Sequence, residues 1–215
     1  MIPRYSISPM KDLFTDEAKF ATWLEVEILA VEAWADMGVV PAADAAAIRE
    51  RAGFDVAAIE ARERVTNHDV AAFVDVVAER VGEPAGKWVH YGLTSSDVVD
   101  TGLSLTLTRA ADLLVDAASR LEAVIAKRAR ELRDVPMVGR THGIHAEPTT
   151  MGAKLALWAF QMRRERTRIQ RARAAVAVGK LSGAVGTYSN VDPRVEAFVC
   201  GRLGLRPVPA TQVLA

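Results

Sequence analysis

The sequence is poor in cysteine and has no excess of either charge. Cys200 is the only cysteine, so no disulfide can form within the chain and a cluster of thiolate metal ligands is excluded. Lys and Arg together number 27, as do Asp and Glu, which gives a formal net charge of zero at pH 7. This balance gives no indication of a nucleic acid or of any other strongly charged partner.

Long apolar stretches are lacking as well. No segment approaches the roughly 18 uninterrupted apolar residues that indicate a membrane-spanning helix. Residues 1–12 mix polar side chains with two prolines and lack the apolar run of a secretory signal peptide. We therefore expect no contact with a membrane and a cytoplasmic location. Half of the 215 residues are hydrophobic, which is typical of a globular protein with a sizeable core.

Helical periodicity is what the sequence has in abundance. In the first part of the chain, apolar positions recur at helical spacing between residues that favour helix starts and stops. Four short helices are predicted there: between Thr15 and Gly38, over 42–52, over 56–64, and from Thr66 or Asn67 to Gly82. Together they indicate a small helical N-terminal domain over residues 1–94.

Two much longer helices are predicted after residue 95, over about 97–134 and 150–178. At ~1.5 Å per residue, the first makes a rod of roughly 57 Å. Its apolar residues follow the alternating spacing of four and three that forms a helical seam: Leu103, Leu107, Ala110, Leu114, Ala117, Leu121 and Val124. A short helix from Pro193 to Gly204 follows, and no run alternates with the period of two that indicates a strand. We predict an all-α fold in which residues 95–215 form the first, incomplete part of a central long-helix bundle.

All four histidines fall between the predicted helices, at positions 68, 90, 142 and 145. His142 lies between Gly139 and Gly143, and glycines allow the backbone to approach a ligand closely. An unperturbed imidazole titrates near 6.5, so it can donate or accept a proton at neutral pH. The alternative is a structural histidine that caps the preceding long helix. A metal site at His142 and His145 is disfavoured, because the spacing is not that of a zinc motif and no third ligand is nearby.

Three further segments are candidates for ligand binding. Residues 92–97 place hydroxyl and backbone N–H groups at the start of the longest helix, where phosphate or carboxylate binds well, although an ordinary helix cap has the same composition. The glycines of residues 182–187 indicate a backbone that bends tightly or exposes N–H groups, but the ending of a phosphate-binding P-loop is absent. Arg4 and Tyr5 lie near the terminus, where an arginine is usually only solvated.

These segments together resemble the adenylosuccinate lyase family of the fumarase/aspartase superfamily. The matching stretches are residues 2–6, 63–70, 88–97, 139–148 and 182–187. The Thr-Ser-Ser-Asp and Arg-Thr-His-Gly sequences within them are typical of the superfamily. The Arg-Tyr start and the Asn-His-Asp sequence at 67–69 narrow the resemblance to the branch that cleaves nucleotides.

The resemblance implies a lyase that breaks a C–N bond by β-elimination in purine biosynthesis, without a cofactor or metal. It would convert adenylosuccinate to AMP and fumarate, and SAICAR to AICAR and fumarate. His142 matches the general acid that protonates the departing amine. Arg4 and Tyr5 match residues that hold the nucleotide phosphate. Asn67, His68 and Asp69 match the segment that lines the substrate pocket. Thr94 and Ser95 match donors to the succinyl carboxylate. Gln212 matches a further substrate contact, and His90 lies beside these segments.

The family also implies residues that would follow Ala215. Its general base is a serine on a mobile loop further along the chain, and its members form homotetramers in which three subunits build each site. We therefore expect these 215 residues to be inactive alone and to associate through the unpartnered seam.

Two alternatives remain open at this point. One is another lyase of the superfamily, such as an argininosuccinate lyase or a carboxymuconate cycloisomerase, which has no nucleotide phosphate for Arg4 and Tyr5 to bind. The other is a non-enzymatic helical scaffold that oligomerises through the 103–124 seam.

Overall fold

The computed structural model describes residues 2–211, and helices dominate this part of the chain. Within these residues there are seven α-helices: α1 (Asp16–Asp36), α2 (Ala42–Arg51), α3 (Val56–Thr66), α4 (Asp69–Val81), α5 (Ser95–Glu131), α6 (Met151–Val176) and α7 (Pro193–Leu203). Four short strands accompany them: β1 (Pro136–Thr141), β2 (Ile144–Thr150), β3 (Val178–Gly179) and β4 (Arg206–Pro207). The predicted all-α class is confirmed. None of the helices in the described range is long and apolar enough to cross a membrane.

The chain divides into two compact units. One comprises the residues up to Arg109 together with those from Val176 onward, and the other comprises Ala110–Ala175. Helix α5 contributes to both units. The predicted domain boundary between residues 94 and 95 is a different division of the chain, and it stays a prediction.

The first unit is built around α1, whose buried face carries an aromatic cluster. Thr15 begins the helix as predicted, because its hydroxyl accepts the N–H of Ala18 at 3.1 Å. The ring of Phe20 packs edge-on against Trp23 at 5.2 Å and stacks on Phe73 of α4 at 5.8 Å. These rings are at most 4 % exposed, so they anchor the core against which α2, α3 and α4 pack.

The cap between α3 and α4 differs from the prediction by one or two residues. Thr66 or Asn67 was expected to begin α4, but the cap is His68, whose Nδ1 accepts the N–H of Ala71 at 3.3 Å. Asn67 instead ends α3 in the left-handed region, at φ 51°. An imidazole nitrogen can accept the same hydrogen bond as a serine oxygen, but ordinary capping preferences do not include histidine.

The C-terminal part of the first unit confirms the predicted short helix. Asp192 accepts the N–H of Arg194 at 2.8 Å at the start of α7, and Gly204 ends the helix at φ 69°. After the helix, Arg206–Pro207 pairs in parallel with Val178–Gly179, although the sequence predicted no strand. Two residues are too few for an alternating pattern to be visible in the sequence.

The second unit consists of the later part of α5, the hairpin of β1 and β2, and most of α6. Buried Glu122 of α5 lies 2.8 Å from Nε of Arg163 and 3.3 Å from Arg166 on α6. The expectation that no strand is present is wrong here, since β1 and β2 pair antiparallel with an irregularity between Val138 and Arg140. Most residues of this hairpin are exposed on both faces, so its sequence carries no alternation of apolar and polar residues.

The predicted 103–124 seam is largely exposed within this chain. Leu114 and Leu121 are each 48 % exposed and Val124 is 59 % exposed. In the second unit, α5 buries Ala110 of the seam together with Ala118, Glu122 and Ala129, which lie off the seam. From Leu114 to Val124 the seam therefore has no cover among the described residues.

Candidate functional site

The start of α5 is closed by a reciprocal pair of hydrogen bonds. The carboxylate of Asp97 accepts the backbone N–H of Thr94 at 3.0 Å, and the N–H of Asp97 donates to the Thr94 carbonyl at 3.0 Å. The first bond is one half of a capping box, and in place of the other half the backbone carbonyl of Thr94, not its hydroxyl, accepts the N–H of Asp97. This pair of bonds leaves the hydroxyls of Thr94 and Ser95 partly exposed at the positive end of a long helix.

Ser95 meets His68, a residue 27 positions earlier in the chain. Its Oγ lies 3.4 Å from Nε2 of His68. Because Nδ1 of His68 accepts the N–H of Ala71, a neutral ring carries its proton on Nε2 and donates it to Ser95. Asp69 lies 3.4 Å from Nδ1, but its carboxylate accepts a shorter bond of 2.7 Å from the N–H of Val70. The fold thus brings together two of the segments predicted to bind substrate.

His90 is held by a buried carboxylate that the sequence did not reveal. Glu27 of α1 binds His90 twice. Nδ1 of the ring lies 2.6 Å from one carboxylate oxygen, and the backbone N–H donates to the other at 2.8 Å. Burial by itself lowers the pKa of His90, but the hydrogen bond with Glu27 and the charges of Glu27 and Asp97 outweigh it and raise the pKa above its ordinary value of 6.5. A ligand would meet this ring through Nε2.

The glycine-rich segment 182–187 bends tightly rather than presenting its first N–H groups to a ligand. Gly183 and Gly186 adopt φ values of 81° and 71°, where a side chain is disfavoured. The N–H of Leu181 donates to Glu196 at 2.8 Å, and those of Ser182 and Gly183 donate to Asp97 at 3.1 to 3.3 Å. These three groups are therefore committed to buried carboxylates, and of the two predicted explanations for the glycines the tight bend applies.

His142 lies at the turn of the β1–β2 hairpin in the second compact unit. His142 and Gly143 both have positive φ, 53° and 75°, as in the type I′ turns that suit hairpins. The ring is exposed. Because α5 ends at Glu131, well before this turn, the alternative that His142 caps that helix is excluded. His145 follows on β2, paired with Arg140.

Arg4 and Tyr5 contact each other on the surface of the first unit. Nη2 of Arg4 donates to the Tyr5 hydroxyl at 2.9 Å, and the guanidinium lies 4.9 Å from the centre of the ring. Both side chains are exposed. Gln212, the remaining predicted contact, lies outside the described residues.

These features can be compared with known proteins. Residues 4–214 match a protein-family model described as lyase, and the chain belongs to this lyase family. It is 53 % identical over all 215 residues to an adenylosuccinate lyase from Bacillus subtilis (strain 168), which confirms the resemblance found in the sequence. The chain spans about half the length of the curated relatives it matches, 50 % of that protein.

Solved structures of two other proteins share the fold. The crystal structure of a fumarate lyase from Mesorhizobium sp. BNC1 matches with a TM-score of 0.87 at 27 % identity, over 94 % of this chain and 49 % of that one. A 3-carboxy-cis,cis-muconate lactonizing enzyme from Pseudomonas putida matches with a TM-score of 0.85 at 30 % identity, over 95 % of this chain and 48 % of that one.

Proposed function

We propose that this chain supplies part of the active site of a C–N lyase that releases fumarate from adenylosuccinate, and from SAICAR, by β-elimination. The observation that carries this proposal is the 53 % identity to an adenylosuccinate lyase along the entire chain. Identity to the lactonizing enzyme, which represents the alternative within the superfamily, is 30 %. A non-enzymatic scaffold would not explain the hydrogen bond between His68 and Ser95.

The reaction needs an acid for the leaving nitrogen. A base removes a proton from the carbon beside a carboxylate, the electron pair forms the new C=C bond, and the C–N bond breaks as the nitrogen takes up a proton. His142 is the proposed acid. Its exposed ring stands on a hairpin turn with a fixed backbone, which suits a group that must approach a ligand bound largely by other residues.

The start of α5 is the proposed site of the succinyl carboxylate. Negative charge on this part of the substrate grows as the carbanion forms, so donors placed there stabilise the transition state more than the ground state. The hydroxyls of Thr94 and Ser95, the helix terminus and Nε2–H of His68 supply such donors. Asn67, Asp69 and His90 are proposed to complete the pocket.

Other binding roles belong to the same proposal. The guanidinium of Arg4 and the hydroxyl of Tyr5 form one exposed unit that suits a phosphate, and Gln212 is retained as a substrate contact. The exposed seam of α5 supports a homotetramer, because a monomer would leave those leucines in water. The proposed location is the cytoplasm.

The test is fumarate release by the protein as its gene encodes it. We expect fumarate release from adenylosuccinate and SAICAR, none from argininosuccinate, and no formation of a lactone from carboxymuconate. A His142→Gln variant should lower kcat about 10² to 10⁴-fold, the usual contribution of a general acid. His145→Gln is the matched control, since it removes an exposed ring three residues away on the same hairpin. Equal activity of the two variants would remove His142 from catalysis, and an inactive wild-type protein would contradict the proposed reaction.

A further inference from the structure

Lys180 is a fully buried lysine next to the proposed carboxylate site. Its Nζ lies 2.7 Å from Oδ1 of Asp97, and both side chains are 0 % exposed. The ammonium has three N–H donors. The other two donate to Oγ of Ser96 at 3.1 Å and to the carbonyl of Gly183 at 2.7 Å. Every proton of this ammonium therefore has an acceptor, and the acceptors lie both on α5 and in the glycine-rich segment.

The carboxylate of Asp97 also accepts hydrogen bonds from both the start of α5 and the glycine-rich segment. It accepts the N–H of Thr94 on the α5 side, and the N–H groups of Ser182 and Gly183 on the side of the glycine-rich segment. One turn further along α5, the hydroxyl of Thr101 bonds the backbone N–H and carbonyl of Lys180, each at 3.1 Å. The pair thus fixes the first turn of α5 against residues more than 80 positions away in the chain.

Stability alone does not explain such a pair. Removing two charges from water costs several kcal/mol per ion, and replacement of a buried ion pair by apolar groups is often neutral or stabilising. The network gives Thr94 and Ser95 a single position, because the bonds of Asp97 to Ser182 and Gly183 and those of Lys180 to Asp97 and Ser96 depend on the register between the two segments. Directional hydrogen bonds restrict this register more than apolar packing does.

We infer that Lys180 and Asp97 are positioning residues for substrate carboxylate binding by Thr94 and Ser95. This inference rests on the proposed function. Neither residue touches the substrate, since both are buried. Their effect is confined to the half of the ligand that becomes fumarate, and the nucleotide half is bound elsewhere.

The test is a double variant, Lys180→Met with Asp97→Asn. Methionine has nearly the length of lysine, and asparagine keeps one acceptor oxygen for the loop N–H groups. Because both charges are removed together, we expect thermal unfolding close to that of the wild-type protein. We expect the inhibition constant for fumarate to rise about tenfold or more and kcat/KM for adenylosuccinate to fall by a similar factor, whereas inhibition by AMP changes less than about twofold.

Glu196→Gln is the matched control. Glu196 is a buried carboxylate that holds the same segment, through the N–H of Leu181 and the hydroxyl of Tyr188, but it has no bond to α5. Burial and this hydrogen bond raise the pKa of Tyr188 to about 12, so Tyr188 remains a donor at neutral pH. The glutamine oxygen can accept the N–H of Leu181 and its NH2 can donate to the Tyr188 hydroxyl, so we expect fumarate inhibition in this variant to stay at the wild-type value.

The outcomes separate the inference from the reaction on which it rests. An active wild-type protein whose double variant keeps its fumarate inhibition overturns the positioning role alone. Equal weakening of inhibition by fumarate and by AMP also overturns it, because a general loss of structure would weaken both.

If the double variant does not fold, Ser96→Ala is the second variant, since it removes only one hydrogen bond of the Lys180 ammonium. It should raise the fumarate constant about two- to fivefold, and no rise would overturn the inference. A wild-type protein that releases no fumarate contradicts the proposed function itself.

Discussion

At the scale of single residues, buried carboxylates hold partly exposed groups in place. Glu27 is 2 % exposed, and it binds both the ring and the backbone N–H of His90. The backbone of His90 is in the left-handed region at φ 65°, a conformation that needs such support. The same carboxylate therefore holds the ring in position and favours a proton on Nδ1.

This arrangement predicts a pH dependence for His90. Its folded-state pKa is raised above 6.5, so protonated His90 stabilises the fold below that pH, and the contribution is lost as the pH rises through the raised pKa. We expect an NMR titration of the His90 ring to give a midpoint above 6.5, and Glu27→Gln to lower it.

Glu25→Gln is the control for that titration. It removes a carboxylate from the same helix whose partner is Arg109, at 3.0 Å. The His90 midpoint should then stay near its wild-type value. A midpoint that does not respond to Glu27→Gln would show that the carboxylate does not control the protonation of the ring.

At the scale of elements, the second unit depends on a close approach between the end of α5 and the start of α6. The N–H of Gly152 donates to the carbonyl of Leu132 at 2.9 Å, and the N–H of Met151 donates to that of Val135 at 2.9 Å. These bonds fix the point at which the hairpin leaves α5 and enters α6. The hairpin that carries His142 is therefore attached at its base by backbone contacts.

Gly152→Ala should disturb this junction. A Cβ at Gly152 would lie 2.4 Å from Cα of Arg133 and 2.5 Å from the carbonyl oxygen of Ala129, both backbone atoms that cannot rotate away. We expect the free energy of unfolding to fall by about 1–3 kcal/mol or more, as in overpacked cores. Chemical denaturation measures this directly.

Gly201→Ala is the control, because the same substitution there meets no neighbouring atoms. Gly201 lies within α7, and a Cβ there meets nothing within 4 Å. Alanine favours a helix interior over glycine by roughly 0.5–1 kcal/mol, so this variant should be more stable than the wild-type protein. Equal responses at the two glycines would contradict the close approach at Gly152.

At the scale of the whole molecule, the main feature is the seam of α5, which stays largely exposed among residues 2–211. Leu114, Leu121 and Val124 follow one another at seam spacing and are each about half exposed. Helix α6 adds exposed Leu157 and Phe160. Large apolar side chains exposed in such number mark an interface more often than a free surface.

Replacement of Leu114 and Leu121 by lysine should therefore reduce self-association. Burial of one leucine contributes about 1.5–3 kcal/mol, so the loss of two per chain weakens each contact at least tenfold. Light scattering over a concentration series should show the variant shifted toward the monomer. Val65→Lys, at a 77 % exposed position outside the seam, should leave the mass unchanged. A monodisperse wild-type monomer would contradict the prediction.

Several parts of the site were predictable from local sequence. The positions of all four histidines between regular helices, the donor-rich start of α5 and the glycines of 182–187 follow from short patterns of residues. The hairpin was missed because its exposed strands carry no apolar alternation, and the His68 cap was missed because histidine is not a usual capping residue.

The sequence by itself determined the helices, several of their caps and the family, because helical periodicity and short motifs involve residues that are close in the chain. Only the tertiary structure decided which carboxylate faces which cation. Glu27 and His90 are 63 positions apart, and Lys180 and Ser96 are 84 positions apart, so no local pattern links them. It also decided that α5 buries the face with Glu122 and leaves its best apolar seam exposed, because burial depends on which surfaces the folded chain can cover.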